Sequence, residues 1–191
     1  MPMFNWSRFP INVPNTITII RILLTPLFII LLLKDMVQPA LLTFAAAGIS
    51  DGLDGFIART TNQRTELGAH LDPLADKLLL MAAYICLGAL KSIPTWLSVV
   101  VISRDVVIVM GIALLNLNDI SVKIQPSLVS KATTVFQLAT VFVILATWFP
   151  QNGMFRSFLF YGTGLLTVVS GLHYMYVGIN LLQQGMDEKH P

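Results

Sequence analysis

Six apolar runs, each close to the ~20 residues a helix needs to cross ~30 Å of hydrocarbon, constrain this chain more than any other feature. They cover roughly residues 16–33, 38–58, 72–90, 94–115, 127–148 and 155–180, and short turns join them. Hydrophobic side chains make up 55% of the 191 residues and charged ones 12%, with a mean hydropathy of +0.74. Soluble domains lie far from these values. The expected fold is an all-α integral membrane protein: six transmembrane helices in one domain over residues 1–191.

Ile17–Leu33 is too long for a signal-peptide core and no small-x-small cleavage site follows it, so the first run reads as a retained span. Ahead of it, residues 1–15 interleave Phe4, Trp6, Phe9 and Ile11 with Asn5, Ser7 and Arg8. That pattern suits a short segment in the headgroup layer; the alternative is a frayed tail. With six spans, the termini and the loops after spans two and four share one side. That side or its helix ends carry Arg8, Arg21, Arg59, Arg64, Lys123, Lys131 and Lys189, against Lys34, Lys91 and Arg156 opposite, while Lys77 and Arg104 sit within spans. The positive-inside rule then puts both termini in the cytoplasm.

Between the second and third runs stands SDGLDGFIARTTNQRTELGAHLDPLADK, residues 50–77, with Asp51, Asp54, Asp72 and Asp76. Asp51 and Asp54, three residues apart, share a helix face near a cytoplasmic end, and Asp72 and Asp76, four apart, share another. Carboxylates converging in a partly dehydrated place repel one another unless protons or cations neutralise them. An oxygen-only donor set favours Mg²⁺ or Mn²⁺ over Zn²⁺. Two such ions suit displacement at phosphorus, so a phosphate-bearing substrate is the leading expectation. Gly55 and Ala58 beside Asp54, and Gly68 in the following loop, remove bulk and let a ligand approach the backbone. Arg59 can clamp diphosphate oxygens.

Other chemistries lack their residues. The single cysteine, Cys86, excludes an internal disulfide and offers no metal-ligand spacing. There is no Gly-rich phosphate loop and no Ser-His-Asp grouping, and no nucleic-acid partner is expected.

The spacing Asp51-x2-Asp54-Gly55-x2-Ala58-Arg59-x8-Gly68-x3-Asp72-x3-Asp76 resembles, at all its fixed positions, the signature of the CDP-alcohol phosphatidyltransferases. VPNTITIIRILLTPLF, residues 13–28, is similar to the start of bacterial phosphatidylglycerophosphate synthases, and six spans suit the family. The resemblance implies that Asp51, Asp54 and Asp72 hold two divalent cations. It makes Asp76 both the completing ligand and the catalytic base toward the acceptor hydroxyl. It further implies a CDP site formed by Asp51, Gly55, Ala58 and Gly68 with Arg59 on the diphosphate, CDP-diacylglycerol as donor among the membrane lipids, CMP as leaving group, and a homodimer.

The acceptor is implied less sharply. Similar enzymes with phosphorylated acceptors carry a second basic patch, for which Arg104 in ISRDVV and Lys131 in PSLVSKATTVFQ are the candidates. The alternatives are an Arg104 satisfied locally with Asp105, and a Lys131 that snorkels to the headgroups. Phosphatidylglycerophosphate synthases carry a further arginine about two turns beyond the position of Arg104, where this chain reads VVIVMGIALL. ISRD and PSLVSK resemble eukaryotic-type cardiolipin synthases instead. The acceptor reading therefore stays divided between glycerol 3-phosphate and phosphatidylglycerol, with inositol phosphate or another alcohol behind them. A cation or proton transporter is the rival class, since intramembrane carboxylates also mark proton relays. The acids as protonated or salt-bridged helix glue is the structural alternative. Among weaker marks, His70 could shape the loop, His173, Tyr174 and Tyr176 read as an interfacial belt, and Gly162, Gly164 and Gly171 as close helix packing, including between subunits.

Overall fold

The computed structural model describes residues 13–61, 66–117, 127–148 and 152–187, with side chains over 19–50, 77–115, 127–148 and 152–183. Six helices follow in order: α1 (Val13–Leu33), α2 (Val37–Thr61), α3 (Glu66–Ala89), α4 (Thr95–Leu117), α5 (Leu128–Leu145) and α6 (Gly153–Asp187). No strand occurs among the described residues. Helices satisfy every backbone donor and acceptor within the segment, which hydrocarbon demands. Among the described residues, Thr95–Leu115, Leu128–Leu145 and Gly153–Gln183 are long and apolar enough to cross a membrane, and the described parts of α1, α2 and α3 are shorter apolar helices. Residues 1–12, most of the expected interfacial segment, lie outside the described residues, and α1 already begins at Val13.

One boundary corrects the sequence reading. α3 starts at Glu66, six residues ahead of Asp72, so Gly68 and His70 lie in a helix and not in a loop. Glu66, Leu67 and Ala69 are good helix formers, and a proline such as Pro73 is tolerated inside a membrane helix because neighbouring groups re-satisfy the freed carbonyl. The chain divides into two compact units, residues 1–86 and 87–191.

In the first unit α1 packs on α2. Arg21, Thr25, Phe28 and Leu32 recur at helical spacing along α1 and are buried. Phe28 meets Phe44 of α2 with ring centroids 5.7 Å apart, while Ile19, Leu23, Leu27 and Ile30 stay exposed. In a bilayer such residues face lipid, so helix association rests on close packing and polar contacts rather than on apolar burial.

In the second unit α6 packs on both α4 and α5. The α5–α6 interface is a buried polar seam. Thr133, Gln137 and Thr140 on α5 and Thr163, Thr167 and Ser170 on α6 are all buried. Gln137 Nε2 donates to Thr167 Oγ1 at 3.2 Å, Thr140 and Thr163 hydroxyls lie 2.7 Å apart, and Thr133 Oγ1 donates to the Leu166 carbonyl at 3.1 Å. Each such bond contributes about 0.6 kcal/mol in a membrane; together they fix register. On the α4 side, a Cβ on Gly164 would lie 2.7 Å from Trp96 Cζ3, and Trp96 stacks on Tyr161 at 5.7 Å. Gly164 thus serves packing within the chain, as do Gly162 against Phe136 and Gly171 against Arg104.

The seam ends at an ionic node. Arg104 Nη1 donates to Asp105 Oδ1 at 2.7 Å, and Nη2 donates to Ser130 Oγ on α5 at 2.6 Å and Ser170 Oγ on α6 at 2.9 Å. The guanidinium carbon lies 5.7 Å from the centre of the Tyr174 ring. One side chain therefore ties α4, α5 and α6 together.

Two helices end in left-handed residues. After α1, Asp35 has φ 58°, with Met36 N–H bonded to Leu31 O and Asp35 N–H to Leu32 O. After α3, Lys91 has φ 58°, with Ser92 N–H on Leu87 O and Lys91 N–H on Gly88 O. This is the paired-bond ending that favours glycine. Lys91→Gly should therefore raise stability by about 1 kcal/mol, seen as a higher midpoint in thermal or SDS unfolding. Asp105→Leu, which strands a buried guanidinium, should lower stability by about 3 kcal/mol, and adding Arg104→Met should restore most of it; a double-mutant cycle in the same assay checks this.

Candidate active site

The acidic motif occupies the end of α2 and the beginning of α3. Asp51, Asp54, Gly55, Ala58 and Arg59 all fall within α2, which runs unbroken to Thr61, and Gly68, Asp72 and Asp76 fall within α3. At 3.6 residues per turn, Asp51 and Asp54 are separated by about 60° around their helix axis and Asp72 and Asp76 by about 40°. Both expected pairings at helical spacing thus rest on continuous helix. The side chains of these eight residues lie outside the described ones. The segment from 51 to 77 holds five acids, Asp51, Asp54, Glu66, Asp72 and Asp76, against Arg59, Arg64 and Lys77. The donor set is oxygen-only and carries more negative than positive charge, which fits hard divalent cations. Among the described side chains no group of three or more His, Cys, Asp or Glu gathers for a metal.

The two candidate acceptor residues lie in the second unit. Arg104 is buried, 7% exposed, and its local satisfaction by Asp105, anticipated as an alternative, is present. That pairing does not exhaust it: among the described residues Nε has no hydrogen-bond partner, and the side chain lines a cavity with Ser103, Val107, Thr167 and Gly171. Lys131 is exposed on the first turn of α5. That turn is set by Ser127, whose side chain accepts from Ser130 N–H at 3.2 Å as the helix cap; the cap presents Ser130 to Arg104.

Sequence reasoning missed the partners. Ser130 and Ser170, 40 residues apart in sequence, share one guanidinium, and no local pattern connects them. Tyr174, read as part of an aromatic belt, sits against Arg104, while exposed His173 meets Tyr174 edge-on at 6.1 Å. Arg21, counted as a cytoplasmic charge, is buried in the first unit at 1% exposure. The only signal for it is a lone cation inside an apolar run.

Comparison with known proteins gives this arrangement its context. Residues 11–170 match the family model for CDP-alcohol phosphatidyltransferase. Human cardiolipin synthase (CMP-forming) is 32% identical over 192 residues, covering 91% of this chain and 64% of that protein. The CDP-diacylglycerol--glycerol-3-phosphate 3-phosphatidyltransferase of Bacillus subtilis is also 32% identical, over 85% of this chain and 93% of its own length. A probable phosphatidylglycerophosphate synthase of Mycobacterium tuberculosis is 29% identical over 86% and 80% respectively. This chain thus spans just under two thirds of the human relative's length. With the signature on two consecutive helices and a family match over most of the sequence, the chain belongs to the CDP-alcohol phosphatidyltransferase family.

Proposed function

We propose that the chain transfers the phosphatidyl group of CDP-diacylglycerol to a hydroxyl of a glycerol-type acceptor and releases CMP. The observation that carries this reading is the complete acidic signature on the adjoining ends of α2 and α3 in a member of this family. Relatives named for CMP-forming cardiolipin synthesis and for transfer to glycerol 3-phosphate support an acceptor of the glycerol type. Inositol phosphate or another alcohol is the alternative within the same chemistry.

In this reading Asp51, Asp54, Asp72 and Asp76 hold two divalent cations, Mg²⁺ or Mn²⁺. When bound, these ions neutralise phosphate charge and lower the barrier to displacement at phosphorus. Gly55, Ala58 and Gly68 leave room for the cytidine diphosphate, Asp51 borders it, and Arg59 donates to its diphosphate oxygens. Asp76 takes the proton of the acceptor hydroxyl as its oxygen attacks the lipid-side phosphorus. The bond from that phosphorus to the bridging oxygen breaks and CMP departs with the electron pair. Arg104 and Lys131 orient the acceptor, and placing a lipid donor and a polar acceptor together at headgroup level removes much of the entropic barrier. Both units form one catalytic domain, which works as a homodimer with the site and both termini on the cytoplasmic side.

A transporter would account for the acids but gives no role to Gly55, Ala58, Arg59 and Gly68 together. The discriminating assay is CMP release by purified protein with CDP-diacylglycerol, Mg²⁺ and each acceptor in turn. Asp76→Asn should reduce turnover by about three orders of magnitude while the protein keeps its helical content. EDTA should abolish release, and added Mg²⁺ or Mn²⁺ should restore it. CMP release that survives Asp76→Asn, or ion flux in liposomes without any CMP, would contradict the proposal.

A further inference from the structure

The turn at 34–36 joins α1 to α2, and the two helices pack on each other within the first unit, so they run antiparallel. Phe28 against Phe44 sets their register. On either side of that contact the buried positions fall at equal intervals on the two helices: Leu32 and Ala40 lie four residues to one side, Thr25 and Ala47 three to the other. Ala40 and Ala47 are small, which permits close approach. The next rung, seven residues from the phenylalanines on each helix, is Arg21 on α1 and Asp51 on α2. Seven residues are about 10 Å of rise and within about 20° of two full turns. Arg21 and Asp51 therefore stand at one level on the facing stripes. Asp54, three residues farther along α2, is about 80° around the helix from Phe44 and nearly a turn beyond.

Arg21 is 1% exposed, and a guanidinium buried in a membrane helix is costly unless an anion neutralises it. Among the described side chains of the first unit the one acid is Asp35, fourteen residues along the chain and about 21 Å away at helical rise. The register offers Asp51 instead. Arg21 does not take the place of cations: counted with Arg59, Arg64 and Lys77, it still leaves the five acids of the 51–77 segment in excess. A carboxylate has two oxygens. A guanidinium at one of them fixes the group's orientation and leaves the other for a metal ion.

We infer that Arg21 is a positioning residue for the acid site: it holds Asp51 from the α1 side and so presents that carboxylate to the cations. This rests on the cation-dependent transferase reading for what Asp51 then binds. It gives α1, which carries no acid of its own, a part in the site. By charge alone, removing a cation beside a metal site tightens metal binding, whereas releasing a ligand carboxylate from its support weakens it. The sign of the change therefore separates a positioning residue from a bystander charge.

Two measurements on the purified full chain test this. The first is Mn²⁺ affinity without substrate, read from the electron paramagnetic resonance signal of free Mn²⁺. Arg21→Met should weaken binding about tenfold or more, and Arg21→Lys, which keeps the charge but not the planar fork, should recover part of that loss. The second is a double-mutant cycle on thermal unfolding in EDTA. Arg21→Met should lower the midpoint; adding Asp51→Asn should recover most of the loss, and adding Asp54→Asn should not. If Arg21→Met does not fold by itself, folding regained with Asp51→Asn is the same result, and Arg21→Lys carries the Mn²⁺ comparison. Mn²⁺ affinity unchanged or raised by the substitution, or recovery with Asp54→Asn in place of Asp51→Asn, overturns the inference and leaves the transferase reading standing. A wild type that takes up no Mn²⁺, while the cycle couples Arg21 to Asp51, contradicts the transferase reading and reduces the pair to a structural one.

Discussion

The electrostatic cost of carboxylates held against hydrocarbon governs this protein. An ionised acid in a low-dielectric place is neutralised by a proton, a cation or a paired base. The chain deals with that cost in two ways. Asp105 receives Arg104 at 2.7 Å, and two serines complete the guanidinium, so the charge is cancelled within the fold. The segment from 51 to 77 has five acids against Arg59, Arg64 and Lys77, an excess the nearby sequence leaves uncancelled. That imbalance is the physical reason for reading the segment as a cation site and not as helix glue.

Polar groups inside the membrane also set how the helices of the second unit meet. Apolar side chains gain little by leaving lipid for protein, and many here remain exposed, from Val99 and Val109 on α4 to Leu165 and Leu172 on α6. Specific register comes from the Thr133–Gln137–Thr140 stripe against the Leu166 carbonyl, Thr167 and Thr163, and from the close approach of Trp96 to Gly164. The node at Arg104 joins this structural seam to the cavity beside it. The same arginine thus holds three helices and, among the described residues, leaves one donor over, so its structural role and its proposed binding role coexist in different nitrogens.

Much of the architecture was legible from the sequence because hydrocarbon thickness dictates run length: all six runs became helices, with ends displaced by a few residues at most positions. Two ends moved furthest: α6 runs to Asp187, seven residues past the expected limit, and α3 begins at Glu66, six residues ahead of Asp72, because Glu66, Leu67 and Ala69 favour helix although they lie outside the apolar run. The acid pairings at three and four residues were legible because helical periodicity alone fixes them. The environment of Arg104 was not. Its contacts at Ser130 and Ser170 depend on helix packing across long sequence separations, which composition and periodicity do not encode. The cavity beside Arg104 was equally hidden, since a run such as VVIVMGIALL looks the same whether it faces lipid, a neighbour or a cavity.

The most direct measurement of the central claim is Mn²⁺ binding followed by electron paramagnetic resonance on the purified chain. The account predicts two Mn²⁺ per chain giving an exchange-coupled signal, as expected for ions ~3.5–4 Å apart, with the coupled signal lost in Asp51→Asn and in Asp72→Asn. A single uncoupled ion, or binding indifferent to both substitutions, would contradict it.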